Sequence, residues 1–117
     1  MRAPLVILGL VIALGACKRA PKGERSCAQV GARFYAIAHA QVDATADLSA
    51  GERTSVTGLL APMRDAMVRA CDGDHWSAAA RACFADAADQ AAFYACDAAL
   101  SPEQRAILAK AAAGAIK

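Results

Sequence analysis

The sequence predicts an all-α fold, a small disulfide-stapled bundle of four to five helices behind a lipoprotein signal peptide, and three observations predict it. Alanine, which leads the helix-propensity scale, dominates the 57% hydrophobic content, while β-branched residues are sparse. Ser or Asp stands repeatedly where a helix would begin, with Glu52 three residues after Ser49 and Gln104 three after Ser101. Five cysteines leave an even four once Cys17 is set aside. Those four suit a body with about twenty large apolar side chains, too few for a thick core, because small secreted domains make up such a deficit with disulfides.

The first stretch is an address. Arg2 supplies a positive start, residues 5–14 an apolar run, and Gly15 and Ala16 the small residues a signal peptidase needs before Cys17. The run is shorter than the ~20 apolar residues that span a bilayer. Leu14-Gly15-Ala16-Cys17 therefore reads as a lipoprotein cleavage box: residues 1–16 are removed and Cys17 carries the lipid, palmitate being the usual acyl group. Lipidation also explains the odd cysteine. Lys18 follows in place of the aspartate that often retains lipoproteins at the inner membrane, so the expected address is the outer membrane, at its periplasmic or outer face. Residues 17–25 then form a basic tether: Lys18, Arg19, Lys22 and Arg25 against Glu24 give +3, and Pro21 and Gly23 discourage helix. A basic segment beside an acyl anchor is drawn to anionic headgroups.

Residues 26–117 form one domain, with eight Lys/Arg against ten Asp/Glu. A first helix is predicted over 26–46, capped by Ser26, with Val30, Phe34, Ile37, Gln41 and Thr45 along one side. Ser49 and Glu52 make a capping box for a second, from Ala50 to the Asp72-Gly73-Asp74 turn, whose buried stripe is Val56, Leu60, Met63, Met67 and Cys71. Pro62, a turn after Gly58, predicts a kink or a break, of which the kink is favoured. Ser77 caps a third helix to about Ala87, and Asp89 a fourth over 90–99 that bears Phe93, Tyr94 and Cys96. Ser101, Pro102 and Gln104 open the last, with Ile107, Leu108, Ala111 and Ala115 on its inner face.

Four cysteines allow three pairings. If the first two helices are antiparallel, Cys27 at the start of one meets Cys71 at the end of the other. A turn near Asp89 likewise places Cys83 and Cys96 at similar distances from the hinge. The expected bridges are therefore Cys27–Cys71 and Cys83–Cys96.

The search for chemistry excludes more than it finds. There is no Cys-x-x-Cys, no Cys-x-x-Cys-His, no phosphate-binding glycine loop, no Gly-x-Ser-x-Gly and no His-Glu-x-x-His. A calcium loop counted from Asp72 would need glutamate at its twelfth position, which is Cys83. The acidic body with dispersed arginines does not suit nucleic acid, and no cofactor or metal is expected. Caps, turns and solvated faces account for most polar residues. His39 has Asp43 four residues on for a local bond, and Trp76 is expected to cover the core and give its N–H to a polar partner. The residues left as candidate contacts are Tyr35, His75, Trp76 and Tyr94, with His39 beside them.

The run Cys71-x4-Trp76-x6-Cys83-Phe84-x11-Cys96-x3-Leu100-Ser101-Pro102-Glu103-Gln104-Arg105 resembles small alanine-rich, cysteine-containing bacterial lipoproteins of myxobacterial type. The resemblance implies a helical, disulfide-bearing module on a lipid anchor and carries over no catalytic residue. Two expectations follow for the body. The first is a non-enzymatic docking or structural module for a protein partner, tethered to the membrane. The alternative is a carrier that holds a small ligand or metal in a cleft between helices through His39, His75, Trp76 and neighbouring acids.

Overall fold

Ser26 opens the first helix with a reciprocal cap. The computed structural model describes residues 24–116, so the expected signal peptide, Cys17 and the tether through Gly23 lie outside the described residues. Helix α1 spans Cys27–Ala44. The Ser26 hydroxyl accepts from the Gln29 N–H at 3.1 Å, and Gln29 Oε1 accepts from the Ser26 N–H at 2.8 Å. Two of the amides that a helix start leaves open are thereby bonded. The helix ends two residues short of Ala46 because Thr45 is extended and its hydroxyl donates to the Gln41 carbonyl at 2.8 Å. Arg53 then donates to the Val42 and Thr45 carbonyls, which the abrupt stop had exposed.

Helix α2 spans Ala50–Gly73, opened by the Ser49–Glu52 box with bonds of 3.1 and 2.8 Å. It runs without a break through Pro62. The lost bond falls on the carbonyl of Gly58, one turn back, and both residues face solvent, so water can serve it. At the other end the His75 N–H reaches the Asp72 carbonyl and the Trp76 N–H the Cys71 carbonyl, with His75 at φ 49°. This is a Schellman stop, and its left-handed position falls on a histidine where glycine is usual.

Helix α3 spans Ala78–Ala85, two residues shorter than predicted, with the Ser77 hydroxyl accepting from the Ala80 N–H at 3.0 Å. Helix α4, Gln90–Ala95, is capped by Asp89 Oδ1 on the Ala92 N–H at 2.8 Å and tightens into a 3-10 turn over Cys96–Ala99, so the predicted 90–99 helix is only partly α. Helix α5 spans Pro102–Ile116 behind the Ser101–Gln104 box. Gln104 Nε2 also donates to the Asp74 carbonyl at 3.2 Å, which sets the start of α5 on the end of α2.

The two long helices are antiparallel: Cys27 bonds Cys71, while Arg53 near the start of α2 reaches the end of α1. α3 packs on α1, and α5 runs back along α2. Cys83 bonds Cys96 and ties α3 to the 3-10 turn. Gly31 is the closest point of the hairpin, since a Cβ there would overlap the Val68 side chain and stand 3.1 Å from Arg64 Cγ. The core is a line of rings. Trp76 lies 5.2 Å from Phe84, Phe84 4.9 Å from Phe93 and Phe93 6.2 Å from Phe34, with Val30, Met67, Leu100 and the cystines around them.

Two expectations need correction. Ile107 does not face inward but is 44% exposed, whereas its neighbour Leu108 packs on the core. Adjacent helical residues point about 100° apart, so a narrow stripe admits one of them, and α5 takes Leu108 with Ala111 and Ala115 half-buried. The arginines, expected as solvated surface charge, are in four cases straps on backbone carbonyls. Besides Arg53, Arg33 holds Ala87 and Ala88, Arg81 holds Arg25 and Trp76, and Arg105 holds Asp97 and Leu100.

Candidate functional site

The predicted contact residues do not form one site. Trp76 is 1% exposed and belongs to the core, so it cannot meet a partner, and its Nε1–H finds no acceptor among the described residues. The polar partner expected for it is therefore missing, as is one for the buried Asp74 Oδ2 in the same turn. His75 is exposed, and its place is explained by the Schellman stop that it completes. Tyr35 lies half-buried on α1 under the Arg64 guanidinium, 5.4 Å from its ring centre, and stacks on His39 at 5.9 Å. His39 Nδ1 is 3.2 Å from Asp43 Oδ2, the local pairing that the i,i+4 spacing predicts.

The carrier reading required His39, His75 and Trp76 in one cleft. His39 is twelve residues along α1 from Cys27, about 18 Å at the helical rise, whereas His75 follows the Cys71 end that is bonded to Cys27. The two histidines stand at different levels of the bundle. No group of three His, Cys, Asp or Glu among the described residues is placed to share a metal ion.

Tyr94 is different. Its ring is 57% exposed, set edge-on to the buried Phe93 at 6.2 Å, and it stands where two apolar hollows meet. The larger, of about 260 Å³, has walls of Phe34, Met63, Met67, Phe84, Phe93 and Leu108, with Ala109 and Ala112 along its α5 side. Asp97 and Arg105 are its polar residues. Arg105 Nη1 is already spent on the Leu100 and Asp97 carbonyls, at 2.8 and 3.1 Å. The smaller hollow, of about 170 Å³, shares Phe34, Phe93 and Tyr94 and continues past Ile37 and Leu60 to Val42 and Val56, with Gln41 and Gln90 beside it.

The cleft has a physical cause in the chain. α4 has six residues and cannot cover the length of an 18- and a 24-residue helix. α5 runs beside α2 but turns alanines toward the gap, so nothing among the described residues fills it. Sequence reasoning put Phe34, Met63, Met67 and Leu108 on inward-facing stripes and foresaw no opening beside them. The signal that would have found the opening was the short fourth helix together with Ala109 and Ala112 at positions where a core helix would carry leucine.

The walls of the two hollows are mainly carbon and sulfur, with Asp97, Arg105, Gln41 and Gln90 as their polar side chains and Tyr94 common to both. No helix among the described residues is long and apolar enough to cross a membrane. No family model matches the chain, and neither a curated protein nor a solved structure matches it.

Proposed function

We propose that this chain is a lipoprotein of the bacterial envelope, anchored by Cys17 on the outer membrane, whose helical body is a non-enzymatic module that docks a protein partner around Tyr94. The observation that carries the docking reading is that ring: a large aromatic held in solvent between two apolar hollows is the composition expected of an interface centre. The anchor reading rests on the Leu14–Cys17 box and the basic tether. A carrier of an apolar ligand is the second reading, favoured by the cleft of about 260 Å³, although not through the histidines first considered for it.

A photo-reactive amino acid at position 94 tests the docking reading in intact envelopes, with one at the exposed Thr54 as control. One discrete adduct is expected at 94 and none at 54, and Tyr94→Ala should weaken recovery of the same partner while His39→Ala leaves it unchanged. Cys17→Ser should leave the protein uncleaved or move it out of the detergent phase. Turnover of a substrate by the purified protein, abolished by His39→Ala or His75→Ala with helicity intact, would overturn the non-enzymatic reading. Trp76→Ala tests only stability, because the ring is buried.

A further inference from the structure

We propose that the cleft beside Tyr94 holds an acyl chain of the lipid carried by this protein's own Cys17. The inference rests on the lipid-anchor reading and names what that anchor does when it is not in the bilayer.

The reach is sufficient. The tether has a fixed root on the body: Arg25 Nε donates to Asp86 Oδ1 at 2.9 Å, and the Arg25 carbonyl accepts from Arg81. Cys17 stands eight residues before that root, an extended span of about 27 Å. Phe34, the α1 wall of the cleft, stands nine residues after it, about 13 Å along the helix. The extended span from Cys17 to Arg25 is thus about twice the rise it must follow.

The chemistry selects the chain. Two hollows of about 260 and 170 Å³ share Phe34, Phe93 and Tyr94 as walls, and both are lined mainly by apolar side chains. A ligand with polar atoms along its length would leave most of them without a partner, because the polar side chains of the larger hollow are Asp97, Tyr94 and an Arg105 whose Nη1 is already bonded to carbonyls, and the smaller adds only Gln41 and Gln90. An unbranched hydrocarbon has no polar atoms to desolvate. Met63 and Met67 add pliable walls for a flexible ligand. Because membrane affinity grows with each buried methylene, a chain withdrawn into the body weakens the anchor. The cleft then sets how firmly the protein sits on its membrane.

The test is metabolic labelling of the full chain with a diazirine-bearing fatty acid, illumination of intact envelopes and peptide mapping by mass spectrometry. The expected result is label on Cys17 and, after illumination, cross-links to the peptides that carry Met63, Met67 and Leu108. Ala109→Trp, which plugs the slot from an exposed helix position, should abolish those cross-links while leaving labelling, helicity and both disulfides intact, and Ala106→Trp on the outer side of α5 should leave them in place. Label on Cys17 with cross-links confined to envelope lipids, to other parts of the chain or to a partner protein would overturn the inference and leave the anchor standing. Cross-links that survive Ala109→Trp would also overturn it. A chain with no label at Cys17 would fail at the anchor itself, and the proposed occupant with it.

Discussion

At the Cys27–Cys71 end of the α1–α2 hairpin a third layer covers the seam, with Trp76, Phe84 and Phe93 stacked against Val30 and a cystine. At the loop end, Val42 and Leu60 are buried but stand outside that cluster, and an arginine strap rather than a core closes the turn. The cleft lies on the border between the two. Stability is therefore concentrated at one end of the molecule, and the surface free to bind begins where the packing runs out.

The largest test of this contrast is removal of the staples. Cys27–Cys71 closes 44 residues and Cys83–Cys96 closes 13. In the chain-entropy account, replacing both cysteines by alanine should cost about 4 kcal/mol for the first bridge and about 3 kcal/mol for the second, read from urea unfolding. Exposure sharpens the difference, because Cys83 is open to solvent while Cys27 and Cys71 are both buried. Graded reductant followed by alkylation should mark Cys83 and Cys96 first. Equal costs together with simultaneous reduction would mean that the two bridges, both at the covered end, break as one unit.

A smaller effect should separate two apolar truncations. Phe84→Ala removes the central ring of the covered end and should cost about 3 kcal/mol, the low side for a buried phenylalanine because the adjoining cleft lets neighbours relax. Val56→Ala, half-buried at the loop end, should cost about 1 kcal/mol. Thermal and urea midpoints check the pair. A Val56 variant as damaged as the Phe84 variant would show that the loop end carries core-like packing after all.

What was legible in the chain was local or geometric. Ser49 with Glu52, Ser77, Asp89, and Ser101 with Gln104 each bond an amide three residues away, so four residues suffice to see them. Antiparallel helices were enough to pair Cys27 with Cys71. What escaped depends on distant partners. Arg33 meets carbonyls more than fifty residues on, and nothing beside it in sequence says so. Gly31 looks like a helix weakener until Val68 is seen against it. The choice of Leu108 over Ile107 was set by where α2 lies, and the cleft by what α4 and α5 leave unfilled. Trp76 was read both as a cover for the core and as a candidate contact, Tyr94 only as a contact, and the fold seals the first and leaves the second open.

The subtlest difference between the two ends is in their capping boxes. At the covered end the reciprocal partners are Gln29 and Gln104, which do not titrate, whereas at the loop end the partner is Glu52. The Ser49 backbone N–H, and after it the Ser49 hydroxyl, hold the Glu52 carboxyl below the usual carboxylate range. A carboxyl whose folded pKa is lowered adds stability that is fully present above its unfolded pKa and is lost as pH falls through the folded one. Acid should therefore loosen the first turn of α2 while the starts of α1 and α5 keep their caps. Amide hydrogen exchange, corrected for its intrinsic pH dependence, should show Arg53 losing protection as the pH falls below the ordinary glutamate range, with Val30 and Arg105 steady. The same scan on Glu52→Gln should be flat at all three starts. If Arg53 still loosens in that variant, the pH dependence comes from other groups, and the loop end is not set apart by its cap.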